Sequence, residues 1–357
     1  MEIPAIPGLP TLPALDDVRD RARVVTCPLR VPFRGVTERE VMLVEAPNGW
    51  VEWSPFLEYE AEEASRWLRC AVELGWGEPP AAALTSVEVN ATIPAVDVAA
   101  DPEAVPRLLE RYPGCMTAKV KVAERGQALA DDIARVAAVR EARPGIAIRV
   151  DANAGWSVDE AFEAAVALTD PSRGGGPLDY MEQPCATVEE LAELRRRLGA
   201  RGMLVRVAAD ELIRKASDPL AVVQARACDV AVLKAAPLGG VSAVRRIAEE
   251  VGRYGVAVTV SSALESAVGM YAGLLATASL PQYADDEYLV AAPQAAGLAT
   301  GPLYAEDVCG PREIVDGHLA VEQLVPQPDR LDALASPAAR KDWWLDRLAA
   351  SYAALAG

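Results

Sequence analysis

Apolar and polar residues alternate along residues 22–60, first in RVVTCPLRVPF and then in EVMLVEAPNGWVEWSPF, and a period of two predicts strands. Asn48-Gly49 between two such runs predicts a hairpin. Residues 60–75 change to helical spacing, with Trp67, Leu68, Ala71, Val72 and Leu74 as the apolar stripe. Sheet followed by helix predicts a small α+β unit. From about residue 87 to 291, strand and helix patterns alternate. The strand candidates are 87–93, 116–122, 146–151, 178–182, 204–209, 229–234, 256–261 and 288–291. Between them lie helix candidates 102–112, 126–142, 157–169, 187–199, 217–226, 240–253 and 264–279. Ser157 is a start signal for one helix, and Thr187 with Glu190 makes a capping-box pattern for another. Seven or eight repeats of about 25–30 residues fit a (β/α) barrel better than an open doubly wound sheet, which would bring a Gly-rich phosphate loop after its first strand. The tail adds a strand-like HLAVEQL (318–324) and a helix over 337–355, where Trp343 and Trp344 read as core or interface residues. The division expected is an α+β unit over 1–86, with 1–20 as a mobile Pro-rich leader, a barrel over 87–300, and a segment over 301–357 that packs back on both.

Five of the strand candidates end in an amine or a carboxylate, in the order Lys, Asp, Glu, Asp, Lys: TAKVKV, IAIRVDAN, LDYMEQP, LVRVAADE and DVAVLKA. In a parallel barrel those ends share one rim, where active sites gather. Asp151, Glu182 and Asp210 on successive strands suit Mg²⁺, with Mn²⁺ as a substitute. Strand-end acids also cap helices or make surface ion pairs. Three in sequence, flanked by lysines, favour the metal site. Lys119 and Lys121 are two apart on a strand and face the same way. Lys121 is nearer the rim, and Lys234 ends the sixth strand, roughly opposite the second. Neighbouring cations would depress a lysine toward the range of a general base. Asn153 and Glu211 follow the acids as supporting residues. Ser261 and Ser262, at the end of the seventh strand, offer hydroxyls and a following helix N-terminus to a substrate carboxylate. A plain N-cap serine is an equal reading of each, and Glu265 reads as a first-turn acid.

Composition narrows the field. The 357 residues are 51% apolar and carry a net charge of −17, which argues against a nucleic-acid or anionic-membrane surface. No apolar run reaches the roughly 18 residues of a membrane span. The opening segment lacks the pattern of a signal peptide, so a cytoplasmic location is the expectation. Six scattered cysteines form no CxxC pair, and Cys185, beside MEQP, reads first as a packed thiol. One histidine, His318, leaves no basis for a Ser-His-Asp triad or a His-rich zinc site. A monomer is compatible with the chain.

Taken together, K-x-K at Lys119/Lys121, D-x-N at Asp151/Asn153, MEQP at Glu182, DE at Asp210/Glu211 and Lys234 resemble the muconate-lactonizing branch of the enolase superfamily over nearly the whole chain. VPFRGVTERE, GWVEWSPFLEYE, SSALESAVG and GLATGPLYAEDV resemble its o-succinylbenzoate synthase family. The resemblance implies a modified TIM (β/α)7β barrel under an α+β capping domain formed by both termini. It implies an Mg²⁺-dependent dehydratase of menaquinone biosynthesis acting on a small carboxylate, 2-succinyl-6-hydroxy-2,4-cyclohexadiene-1-carboxylate. The roles it implies are Lys121 as the base, Lys119 with the metal as stabilisers of the enediolate, and Lys234 as a cation on the other face. Arg34 and segment 53–56 are the cap positions it marks for specificity, under a short cap loop. The same residues would serve a racemase or epimerase with Lys121 and Lys234 as opposed bases. Racemising relatives often carry Arg three residues after the second lysine, where this chain has Pro237. A non-catalytic barrel would have lost site groups, and none of the five is missing.

Overall fold

The computed structural model describes residues 12–33, 35–214, 218–280 and 295–356. Strands β1 (Ala22–Phe33), β2 (Val36–Ala46) and β3 (Gly49–Trp53) form an antiparallel meander. Ala46 pairs with Gly49 across the predicted hairpin, and Gly49 takes φ +115°, a conformation that favours glycine. Helix Ala61–Trp76 covers the sheet, and all five residues of its predicted stripe are buried.

Short strand β4 (Ser86–Glu88) precedes a parallel sheet of seven strands: β5 (Ala91–Ile93), β6 (Thr117–Lys121), β7 (Ala147–Asp151), β8 (Tyr180–Glu182), β9 (Arg206–Ala209), β10 (Val230–Leu233) and β11 (Ala257–Val260). They lie in chain order. Ala296 and Gly297 close the ring, Ala296 bridging to Val89 and Gly297 to Ser261, both parallel. Capping boxes start two of the intervening helices, Ser157 with Glu160 and Thr187 with Glu190, as their sequences predict. Alternation divides the strand side chains into two cores. Val120, Val150, Met181, Val207 and Leu233 pack outward against the helices. Tyr180, Ala208, Val230 and Val232 form a separate cluster facing the other way, into the barrel. This is a modified TIM barrel under an α+β cap.

Several boundaries differ from the sequence expectation. The run 87–93 divides, because Val87 pairs with Leu319 of β12 (His318–Ala320) in an antiparallel ribbon, whereas Val89 bridges to Ala296 and residues 91–93 pair with β6 in the barrel. The helix expected over 264–279 starts at Met270, and that expected over 217–226 shortens to Ala221–Gln224. Candidate strand 288–291 lies outside the described residues. The mobile leader expected over 1–20 is corrected for residues 12–20. Leu15–Asp20 is a helix with Val18 buried, and Tyr352 donates to the Pro13 carbonyl at 2.8 Å. Among the described residues no helix is long and apolar enough to cross a membrane.

The C-terminal helix Ala338–Ala356 packs on helix Ala61–Trp76. Trp344 is buried edge-to-face with Trp53 at 5.4 Å and donates its indole N–H to Glu40 at 2.7 Å. Arg347 donates to the carbonyls of Pro55, Phe56 and Tyr59 at 3.1, 2.6 and 2.8 Å, fixing the cap segment after β3.

Glu52 of β3 ties cap to barrel. Its carboxylate accepts from Ser54 Oγ at 2.5 Å, from the Ser266 amide at 3.1 Å and from the Ser266 hydroxyl. Burial pushes its pKa up to about 7, against the opposing serine hydrogen bonds. The folded protein therefore holds a proton that the unfolded chain releases near pH 4.5, and stability falls as pH rises from there to about 7. Glu52→Gln is expected to remove a decline on the order of 3 kcal/mol. Urea unfolding from pH 4 to 8 reads it, and an unchanged slope in the variant would contradict it.

Candidate active site

The seven strands and the closing segment make eight positions around the ring. β6 is the second and β10 the sixth, so the ends carrying Lys121 and Lys234 are diametrically opposed. β7, β8 and β9 fill the arc between, bringing Asp151, Glu182 and Asp210 to consecutive strand ends. Register pairs Lys121 with Asp151 and Asp151 with Glu182. The five residues expected at one rim are brought there.

Lys119 Nζ lies 2.9 Å from Glu182 Oε1 and 3.2 Å from Asp151 Oδ2. Lys234 Nζ lies 2.6 Å from Asp210 Oδ2, with both side chains buried. Lys121, half-buried at the rim, donates to the Asp151 carbonyl at 3.4 Å. Burial pulls the Lys119 ammonium down, but the Glu182 and Asp151 carboxylates outweigh it and hold its pKa above the ordinary lysine value. Its nearest charges are these two carboxylates, which favour the charged form. Burial pushes Glu182 up to about 7; Lys119 opposes, and Asp151 and Asp210 push the same way as burial.

As placed, ammonium groups span the three carboxylates. Among the described residues, no group of three or more Asp, Glu, His or Cys side chains stands close enough to hold a metal. The donors nevertheless fit one. Glu182 Oε2 is fully buried and accepts no hydrogen bond, and its carboxyl is raised by two neighbouring carboxylates. A divalent cation supplies the charge that relieves such crowding, and three carboxylates are a hard-cation donor set.

Supporting residues surround this arc. Asn153, at φ +44°, turns its amide N–H to Asp151 Oδ1 at 3.1 Å and its side chain to Glu211 at 3.4 Å. Gln183 and Arg214 were not singled out by sequence. Gln183 Oε1 accepts from the Asp210 amide at 3.0 Å, and Arg214 reaches Asp210 at 3.3 Å, Glu211 at 3.0 Å and the cap's Tyr59 hydroxyl at 2.5 Å. Gln183 was visible inside MEQP, and Arg214 stands four residues after Asp210, a readable helical spacing. Arg149 carried no signal. It is buried inside the barrel, stacked 4.8 Å over Tyr180 and bound to Asp179 at 2.8 Å.

Ser261 and Ser262 reach the rim but not a helix N-terminus. Residues 262–269 form a loop, in which Ser262 Oγ meets Glu265 at 2.6 Å and Thr300 at 3.0 Å and accepts from the Leu264 amide at 2.8 Å. Glu265 is correspondingly a loop acceptor, not a first-turn acid. The cause is Leu264, whose φ of +65° ends any helical path. Arg34 lies outside the described residues. Cys185 is buried, and burial pushes its thiol up to about 12, consistent with packing. All six cysteines are buried and free.

A cavity of about 20 Å³ beside Lys119 is lined by cap residues Phe33 and Phe56 and by rim residues including Thr92, Ser262, Leu264 and Thr300. Larger hollows lie elsewhere. One of about 880 Å³ is bordered by Leu178, Met203, Leu204 and Arg226, which precede β8, β9 and β10 at the opposite end of the barrel. Chemistry locates the site here better than size does.

Residues 24–78 match the family model for enolase N-terminal domain-like proteins, and residues 103–327 match that for enolase C-terminal domain-like proteins. The o-succinylbenzoate synthase of Mycolicibacterium smegmatis is 53% identical over 342 residues, 96% of this chain and 98% of the relative. That of Mycobacterium marinum is 54% identical over 347 residues, 97% of each chain. The muconate lactonizing enzyme of Pseudomonas fluorescens, solved with muconolactone, superposes with a TM-score of 0.67 at 18% identity, covering 88% of this chain and 98% of that one. Matching models over both parts of the fold, and near-complete relatives at more than half identity, place this chain in the o-succinylbenzoate synthase family of the enolase superfamily.

Proposed function

We propose that this chain is a lyase that dehydrates 2-succinyl-6-hydroxy-2,4-cyclohexadiene-1-carboxylate to o-succinylbenzoate and water in menaquinone biosynthesis. The observation that carries the reading is the rim itself: two lysine-bearing strands face each other across the ring, with three carboxylates on the arc between them. Curated relatives with that activity in their names match almost end to end.

Asp151, Glu182 and Asp210 would hold Mg²⁺, or Mn²⁺ in its place. When bound, the ion supplies positive charge against the substrate carboxylate as that group gains electron density. Lys121, at the rim, takes the proton from the carbon bearing the carboxylate. The electron pair moves into the carboxylate to give an enediolate, beside which Lys119 presents a buried ammonium. Protonated Lys121 then returns the proton to the departing hydroxyl. The electron pair flows back to form the last ring double bond, and water leaves. Lys234, 2.6 Å from Asp210, faces the other side of the ring as a cation. A cytoplasmic setting fits the free thiols.

The test is turnover with Mg²⁺. The expected result is growth of aromatic ultraviolet absorbance as the cyclohexadiene is consumed. Exchange of the α-hydrogen of an N-acylamino acid in D₂O, with no aromatisation, would select the racemase instead.

A further inference from the structure

Arg39, on β2 of the cap, is 3% exposed, yet forms no ion pair among the described residues. Burying a guanidinium costs several kcal/mol unless its donors are satisfied. Here they are satisfied on two different walls. Nε donates to the carbonyl of rim residue Leu264 at 3.2 Å. Nη2 donates to the carbonyl of cap residue Ser54 and approaches its hydroxyl at 3.3 Å, while Nη1 reaches the Glu40 carbonyl at 3.4 Å. The guanidinium carbon stands 4.3 Å from the ring centroid of Phe56. Phe56 and Leu264 both line the cavity beside Lys119.

Leu264 makes this bridge informative. A leucine at φ +65° is strained and persists only where its surroundings hold it. Three hydrogen bonds do so: Arg39 Nε and the Tyr304 hydroxyl, the latter at 2.8 Å, both donate to the Leu264 carbonyl, and the Leu264 amide donates to Ser262 Oγ. Ser262 belongs to the rim, Tyr304 to the C-terminal segment, where it bridges to Leu29 of β1, and Arg39 alone of the three comes from the cap meander. An apolar side chain on β2 would have filled the same space without fixing Leu264.

We infer that Arg39 is a positioning residue for the substrate pocket. It sets the separation between the Phe56 wall of the cap and the Leu264 wall of the rim, and so governs how well the substrate seats over the lysines without touching the reacting atoms. A lysine at 39 keeps the charge but loses the planar fork that reaches both walls.

The inference rests on the reading that the cyclohexadiene substrate binds between these two walls, which must part to widen a cavity with room for about one water, and the experiment separates the two. Wild type, Arg39→Lys and Tyr304→Phe are compared with Mg²⁺ present by steady-state kinetics, by calorimetric binding of o-succinylbenzoate and by thermal unfolding. Arg39→Lys is expected to raise KM and the product Kd together by about tenfold, with kcat within about threefold of wild type. A purely structural role would instead lower the folded fraction and apparent kcat at constant KM, and that result overturns the inference. Tyr304→Phe, which loosens the same carbonyl, is expected to raise KM by about threefold. If Arg39→Lys does not fold, an unchanged KM in Tyr304→Phe overturns the inference. Failure of wild type to turn over the cyclohexadiene removes the functional reading itself. Normal wild-type turnover beside an unshifted KM and Kd in folded Arg39→Lys removes the positioning role alone.

Discussion

Lys121→Ala is expected to lose at least about 10⁴-fold in kcat, because one group serves both as the base that removes the α-proton and as the acid that releases water. The loss should fall on chemistry, since Lys119 keeps its contacts with Asp151 and Glu182 at 3.2 and 2.9 Å. Folding and the Mg²⁺-dependent rise in Tm should therefore survive. The same variant tests the number of bases. A two-base enzyme would still exchange a substrate proton with D₂O through the second lysine. Lys234 is buried and bound to Asp210 at 2.6 Å, so no exchange is expected in Lys121→Ala. Near-normal turnover by the folded variant would refute the role. Lys234→Ala is a less discriminating probe, because it takes from buried Asp210 an ammonium at that distance and costs stability as well as rate.

The rim was legible in the chain because strand geometry makes it so. A carboxylate or amine at the last position of a period-two run in a parallel barrel has one destination, and Lys121, Asp151, Glu182, Asp210 and Lys234 all reach it. The helix caps at Ser157 and Thr187 were legible for a related reason, since each depends on residues three apart. What could not be read depends on distant partners. Leu264 has no local reason to adopt φ +65°; its conformation is held by Arg39, 225 residues away, and by Tyr304, 40 residues away. Without that fact, Ser262 and Glu265 looked like the start of a helix. The division of 87–93 likewise needs β12, whose Leu319 meets Val87 only in three dimensions. Arg149 lies inside the barrel, and its Asp179 and Asn90 partners come from distant parts of the chain.

Glu182→Gln should cost about a thousandfold in turnover, some 4 kcal/mol of transition-state stabilisation, while leaving the fold intact. The substitution keeps the side chain's shape and an oxygen for the Lys119 ammonium, which also retains Asp151. It removes the charge of a carboxylate that is buried, crowded by both other acids, and has a fully buried oxygen with no hydrogen bond. A cation bound only by the folded wild type adds about 2.7 kcal/mol of stability at a hundred times its Kd, which reads as a rise of a few degrees in Tm. In Glu182→Gln that rise should vanish over the same Mg²⁺ range, and wild type stripped with a chelator should lose turnover and recover it when Mg²⁺ returns. The two readouts cover each other. A fall in rate alone could come from a misplaced Lys119, whereas loss of the metal-dependent Tm shift together with the rate points to the carboxylate as a ligand. If Glu182→Gln keeps both its Mg²⁺ response and its turnover, the three acids at the rim do not act as one cation site, and the lysines would have to stabilise the developing enediolate without it.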